Sequence, residues 1–133
     1  MTTQTLIDTT VATVQRTGPD RLEVRFKPGT TLTVPGIQEV LKARQALGNG
    51  VRSRVLFVFT TDETDFDMSM ITTHYYAGLP VEQFTLATAW ATRNEHNDRF
   101  ARLYFAYFPS PVPNAIFLEE REAVAWLDAQ VVQ

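Results

Sequence analysis

Phe84-Thr85-Leu86-Ala87-Thr88-Ala89-Trp90-Ala91-Thr92, with the segment that follows it to Gln133, is the stretch that decides the fold. The first run reads as a strand with unequal faces: Phe84, Leu86 and Trp90 on one, Ala87, Ala89 and Ala91 on the other. Small side chains let a helix approach a sheet closely, so a helix is expected on the alanine face and different cover on the bulky face. An aromatic helix from Asn97 to Phe108 comes next, then a short apolar strand, Asn114-Ala115-Ile116-Phe117-Leu118. The last element is a helix from Glu119 to Val131, with Glu119, Glu120 and Glu122 in its first turn, where the helix dipole favours negative charge. Strand, helix, strand, helix in so short a piece implies an α/β sheet, because parallel neighbours need crossovers of about this length.

The earlier chain fits the same plan. Leu22, Val24 and Phe26 alternate with Arg21, Glu23, Arg25 and Lys27, giving a strand with one apolar and one charged face. Thr17-Gly18-Pro19-Asp20 is a turn that joins it to a strand over Val11 to Val14, so a hairpin is expected with its charged face in water. Thr33 and Pro35 introduce a helix whose Ile37, Val40, Leu41 and Leu47 share one stripe, and Gly48-Asn49-Gly50 stops it. Val55 to Phe59 is apolar on both faces, as in a central strand covered on both sides. Thr60 to Asp67 is polar and acidic, Met68 to Ala77 reads as a helix ended by Gly78-Leu79-Pro80, and Val81 to Gln83 as a short turn. The expected fold is α/β: a single mixed sheet with an N-terminal β-hairpin followed by α-β-α-β-α-β-α. Residues 1–10 are expected to be disordered or loosely ordered, and residues 11–133 to form a single domain.

Composition narrows the function. With 133 residues, 44% apolar and 20% charged, the chain has a globular make-up and enough length for a real core. A net charge of −3 gives no overall steering toward nucleic acid, and no run has the length of a membrane span. The start lacks a secretory pattern, so a cytoplasmic location is expected. There is no cysteine, hence no disulfide framework and no thiol chemistry.

Candidate chemistry is sparse. Asp62, Glu63, Asp65 and Asp67 suggest a hard cation, but a calcium loop counted from Asp62 needs glycine at its sixth position and glutamate at its twelfth, where Asp67 and Thr73 stand. The cluster is therefore read as a solvated loop running into a helix start, with no metal and no cofactor. His74 or His96 with Asp67 would make an acid–base pair, yet no nucleophile elbow, phosphate loop or zinc helix is present. The expectation is that the protein is not an enzyme, with that pair as the alternative. Pro109-Ser110-Pro111-Val112-Pro113 is read as a stiff, extended crossover rather than a recognition segment.

The aromatic helix carries more apolar surface than one buried stripe uses. Phe100, Leu103, Tyr104 and Tyr107 form one stripe, and Ala101, Phe105 and Phe108 a second. Trp90, Tyr104, Phe105, Tyr107 and Phe108 are the candidate interface, since aromatic enrichment marks interface centres, and a homodimer is the contact most easily formed. Two other fates stay open: burial of both stripes inside one subunit, or the lining of a pocket for a small apolar ligand or lipid.

In the order Arg54-Val55-Leu56-Phe57-Val58, Leu86-Ala87-Thr88-Ala89-Trp90-Ala91, Arg99-Phe100-Ala101-Arg102-Leu103-Tyr104-Phe105 and Ile116-Phe117-Leu118-Glu119-Glu120-Arg121-Glu122-Ala123-Val124-Ala125-Trp126-Leu127, the chain resembles the small bacterial SpoIIAA-like proteins, whose fold is shared with STAS domains. The resemblance, from about Val11 to the end, implies a sheet fronted by a hairpin with helices after each later strand. Relatives of that fold include anti-sigma factor antagonists and regulatory domains of transporters and stressosomes, which act by binding partners. The resemblance thus implies a non-catalytic regulatory or protein-interaction module. The antagonists carry a switch serine in an Asp-Ser-Ser-Gly segment, which falls on Asp67-Met68-Ser69-Met70. Asp67 and Ser69 match as a candidate switch, while Met68 and Met70 stand where a serine and the glycine belong. A helix-capping role is the other reading of Ser69.

Overall fold

The computed structural model describes residues 6–48, 50–72 and 81–130. Its hairpin forms where the alternation places it, with β2 (Ala12–Gly18) and β3 (Arg21–Phe26) antiparallel around Pro19-Asp20 and a register shift between Arg16 and Gly18. Leu22, Val24 and Phe26 are buried. Helix α1 (Val34–Gly48) begins with the Gly36 N–H donating to Thr33 Oγ1 at 3.1 Å, and it buries Ile37, Val40, Leu41 and Leu47. A Cβ on Gly36 would lie 2.9 Å from Val11 Cγ1, so the glycine is what lets α1 start hard against the sheet. Gly50 follows at φ +82, a conformation that glycine adopts without steric cost.

Three short elements and one strand edge arise that periodicity did not indicate. β1 (Leu6–Asp8) pairs antiparallel with β2, so residues 6–8 are not loose: their backbone groups complete the ladder on the open edge of the hairpin. β4 (Thr31–Leu32) and β6 (Asp65–Phe66) form a separate two-stranded parallel sheet. The described part of the expected 68–77 helix is a single turn, α2 (Ser69–Thr72); residues 73–77 and the Gly78-Leu79-Pro80 stop lie outside the described residues. Another turn, α3 (Val81–Phe84), takes Phe84 out of the strand expected to begin there.

The main sheet has six strands in the order β1-β2-β3-β5-β7-β8, where β5 is Ser53–Val58, β7 Thr85–Ala91 and β8 Asn114–Phe117. β3, β5, β7 and β8 run parallel, as the alternating element order requires. Two helices complete the long elements: α4 (Glu95–Tyr107) and α5 (Glu120–Asp128). The Pro-spaced segment connects α4 to β8, but it bends at Pro111 and Val112 instead of running extended, with Ser110 Oγ donating to the Val112 carbonyl at 2.9 Å and Val112 buried.

The two faces of β7 behave as their side-chain sizes demand. Ala87, Ala89 and Ala91 pack with Leu56 and Val58 against Ala123 and Leu127 of α5. The opposite face joins Val55, Phe57 and Trp90 to α1 and to Tyr104 of α4. Rings tile this larger core: Phe57 and Trp90 stack with centroids 3.9 Å apart, and Phe26 and Phe59 at 4.8 Å.

The charged face of β3 departs from expectation, since it does not simply meet water. Helix α5 lies beside it, and its acidic ends reach over. Glu120 Oε1 and Oε2 each accept from Arg25 at 3.0 Å, and Arg21 pairs with Asp128. Arg54, next in the sheet, pairs with Asp20 at 3.8 Å.

Candidate functional site

A groove of about 330 Å³ opens between the β6–α2 turn and α4. One wall is Asp65, Phe66, Asp67 and Met68; the other is His96, Arg99, Phe100 and Leu103. Its floor is ring on ring, with Phe66 and Phe100 stacked at 3.6 Å and 7° and His96 5.9 Å from Phe66. Its lips stay in water: Met68 is 72% exposed and Leu103 43%, and one turn beyond Leu103 stands Tyr107 at 64%.

Two asparagines position these walls. Asn94 caps α4, its Oδ1 accepting from the Asn97 N–H at 2.9 Å, while its Nδ2 donates to the carbonyls of Thr61 and Asp62. Asn97 is fully buried, with Oδ1 accepting from the Thr64 N–H at 2.8 Å and Nδ2 donating to Thr92 O at 3.0 Å and Asp62 O at 3.2 Å. A buried amide holds its position only when such bonds satisfy it, so this side chain is the buried anchor that, with Asn94, ties the 60–64 loop to α4. The approach is strained: Arg93, between β7 and the cap, has φ 73 without being glycine.

The polar groups of the groove are each engaged by the chain itself. His96 Nε2 lies 2.9 Å from the Thr64 carbonyl oxygen, which can only accept, so Nε2 carries the proton. Asp67 Oδ1 accepts from the Ser69 hydroxyl at 2.6 Å and from the Ser69 N–H at 2.9 Å. The hydroxyl, then the N–H, hold the Asp67 carboxyl below the usual carboxylate range. Asp67 rather than Ser69 is thus the capping residue, and the serine is its donor. Asp98, two residues after His96, accepts from Arg102 at 2.7 Å and from Thr92 at 3.2 Å.

The acidic cluster is divided by the fold. Asp62, Glu63 and Asp65 border a polar cleft of about 200 Å³ with Lys27, Thr31 and Thr60, while Asp67 faces the groove. Thr31 Oγ1 donates to Asp65 Oδ2 at 2.8 Å. Among the described residues no group of three or more His, Asp or Glu is placed to hold a metal ion.

The candidate interface of five aromatic residues needs correction. Trp90 and Tyr104 belong to the chain's own core, at 7% and 2% exposed. Trp90 can be buried because its Nε1–H donates to Asn114 Oδ1 at 2.8 Å. Phe105 and Phe108 are half-buried, with Phe105 edge-on to Trp90 at 5.5 Å. Tyr107 alone of the five is exposed. The stripe next to the groove is instead His96, Phe100, Leu103 and Tyr107, spaced four, three and four apart along one flank of α4. Grouping Tyr104 with these residues concealed that flank, and Phe66 and Met68 across the groove carried no signal of their own. His74 lies outside the described residues.

A mixed sheet with a leading hairpin, crossover helices and a closing helix defines a SpoIIAA-like α/β fold. Residues 20–131 match the family described as Domain of unknown function (DUF7793), and the chain belongs to that family. It is similar in structure to an uncharacterized protein of the DUF3478 family with a SpoIIAA-like fold from Shewanella loihica PV-4, solved by crystallography. The TM-score is 0.54 over 96% of this chain and 98% of that one, at 15% identity, a likeness of fold alone. No curated protein matches the sequence. No helix among the described residues is long and apolar enough to cross a membrane.

Proposed function

We propose that this protein is a non-catalytic regulatory or protein-interaction module whose contact surface is the groove between the β6–α2 turn and α4. One observation carries the reading: a ring-floored groove with Met68, Leu103 and Tyr107 held out in water. Exposed apolar side chains gathered in one place mark contact surfaces more often than single ones do. The polar groups that an acid–base mechanism would use, His96 and Asp67, already serve Thr64 and Ser69. A photo-reactive residue at position 103, compared in cells with one at exposed position 45 on α1, tests the reading. A defined adduct at 103 and none at 45 supports it; equal labelling at both, or silence at 103, removes it.

A second reading is favoured by the size of the groove. About 330 Å³ falls at the low end of small-molecule pockets, which run from roughly 300 to 1,000 Å³, and its walls are largely apolar. The space enclosed between the sheet and α4 is about 20 Å³, too little for a ligand. Native mass spectrometry of freshly purified protein separates the two readings, because a retained lipid or aromatic compound, lost in Phe100→Ala, would favour the small ligand.

A further inference from the structure

The walls of the groove carry opposite charge. Asp65 and Asp67 stand on the β6–α2 side and Arg99 on the α4 side, with Met68, Phe100 and Leu103 between them. Arg99 pairs with Glu95 at 3.4 Å, but the two side chains are 78% and 84% exposed, and such a pair holds its cation weakly. A partner of one sign would meet its own sign on one wall. A second copy, turned by a two-fold axis that runs along the groove in the plane of contact, would not, because the rotation exchanges the walls and lays the acidic side of each copy over the basic side of the other. The apolar strip then faces itself.

We propose that the groove is an isologous dimer interface, in which Leu103 lies near the two-fold axis and Arg99 faces Asp67 of the partner subunit. The partner is a second copy of this chain, and the proposal rests on the reading of the groove as a protein contact surface. The single two-fold axis makes the charge pair twice, and Tyr107 and Met68 close over the apolar centre from both sides. The occupant is the second copy that the aromatic enrichment suggested, but the residues that meet are those of the outer flank of α4, not the buried Trp90 and Tyr104.

The absence of cysteine gives a clean test that does not disturb the fold. Leu103→Cys places one thiol beside the axis, and Gln45→Cys places one on the exposed side of α1. Under mild oxidation at micromolar concentration, Leu103→Cys is expected to form a covalent dimer at least about tenfold faster than Gln45→Cys, because docking supplies the effective concentration. Equal rates would overturn the proposal. Light scattering of charge-exchanged chains provides the second arm. Arg99→Glu alone and Asp67→Lys alone are each expected to be monomeric, and an equal mixture to form a heterodimer of about twice 15.1 kDa, since mixing restores both pairs. A mixture that stays monomeric while each variant remains folded sinks the charge pairing. If position 103 captures a different protein in cells while the pure chain is monomeric, this proposal fails and the interaction reading stands; silence at 103 in both settings removes both.

Discussion

Arg93 sits at φ 73, where a side chain crowds its own backbone, and the structure keeps it there because β7 must turn into α4 within three residues. Its guanidinium lies 3.9 Å from Glu120, too far and too exposed to offset much of that cost. Arg93→Gly and Arg93→Ala both delete this contact, so their difference isolates the backbone. Chemical denaturation is expected to find the glycine variant more stable than the alanine variant by about 1 kcal/mol. Asn97 is the other residue on which the site depends. Asn97→Ala leaves the Thr64 N–H and the Thr92 carbonyl without their partner, while the Asp62 carbonyl keeps Asn94, and is expected to cost about 3 kcal/mol in the same measurement. Equal stability of Asn97→Ala and the parent would show that water replaces the amide and that the loop is not held by it.

Helix α5 shows how an element is held by unlike forces on its two sides. Toward β7 it packs Ala123 and Leu127 onto an alanine surface, and toward β3 it closes on arginines. The Arg25 hydrogen bond, with its charge, lowers the Glu120 carboxyl pKa against the opposing effect of burial. A depressed folded-state pKa means stability that is present above the unfolded carboxylate value, near 4.3, and lost as pH falls through the folded one. Glu120→Gln is therefore expected to be less stable than the parent at neutral pH, with the gap closing on acidification below about pH 4.3. With side chains 34% and 46% exposed, solvent screening keeps the gap under about 1 kcal/mol. A gap that persists unchanged at low pH would mean that packing, not charge, makes the contact.

At the scale of the whole molecule, association and stability are linked. If two copies dock through the groove, the midpoint of thermal unfolding rises with protein concentration, because the dimer binds only folded chains. Leu103→Asp is expected to abolish that dependence while leaving the stability of the single chain within about 0.5 kcal/mol, as suits an exposed position. A midpoint that rises equally in both proteins would locate the interface elsewhere. The molecule also shows which parts of a fold can be read in advance. The unequal faces of β7, the stripe of α1 and the doubly apolar β5 were legible because a strand or helix repeats its environment every two or three to four residues, and burial on one side leaves that period in the sequence. β1, β4 and β6 were not, since two- or three-residue strands contain no period and exist only because distant backbone offers partners. The clasp of α5 on the charged face of β3 joins residues 95 and 107 positions apart, and no local pattern announces it. By itself the sequence determined the order of elements, the parallel sheet and the close helix on the alanine face, all consequences of side-chain size and periodicity. Tertiary packing alone decided which aromatic rings the core absorbs and which remain outside, because a stripe on a helix states only that a flank is apolar, and what covers that flank is set by chain folded back from elsewhere.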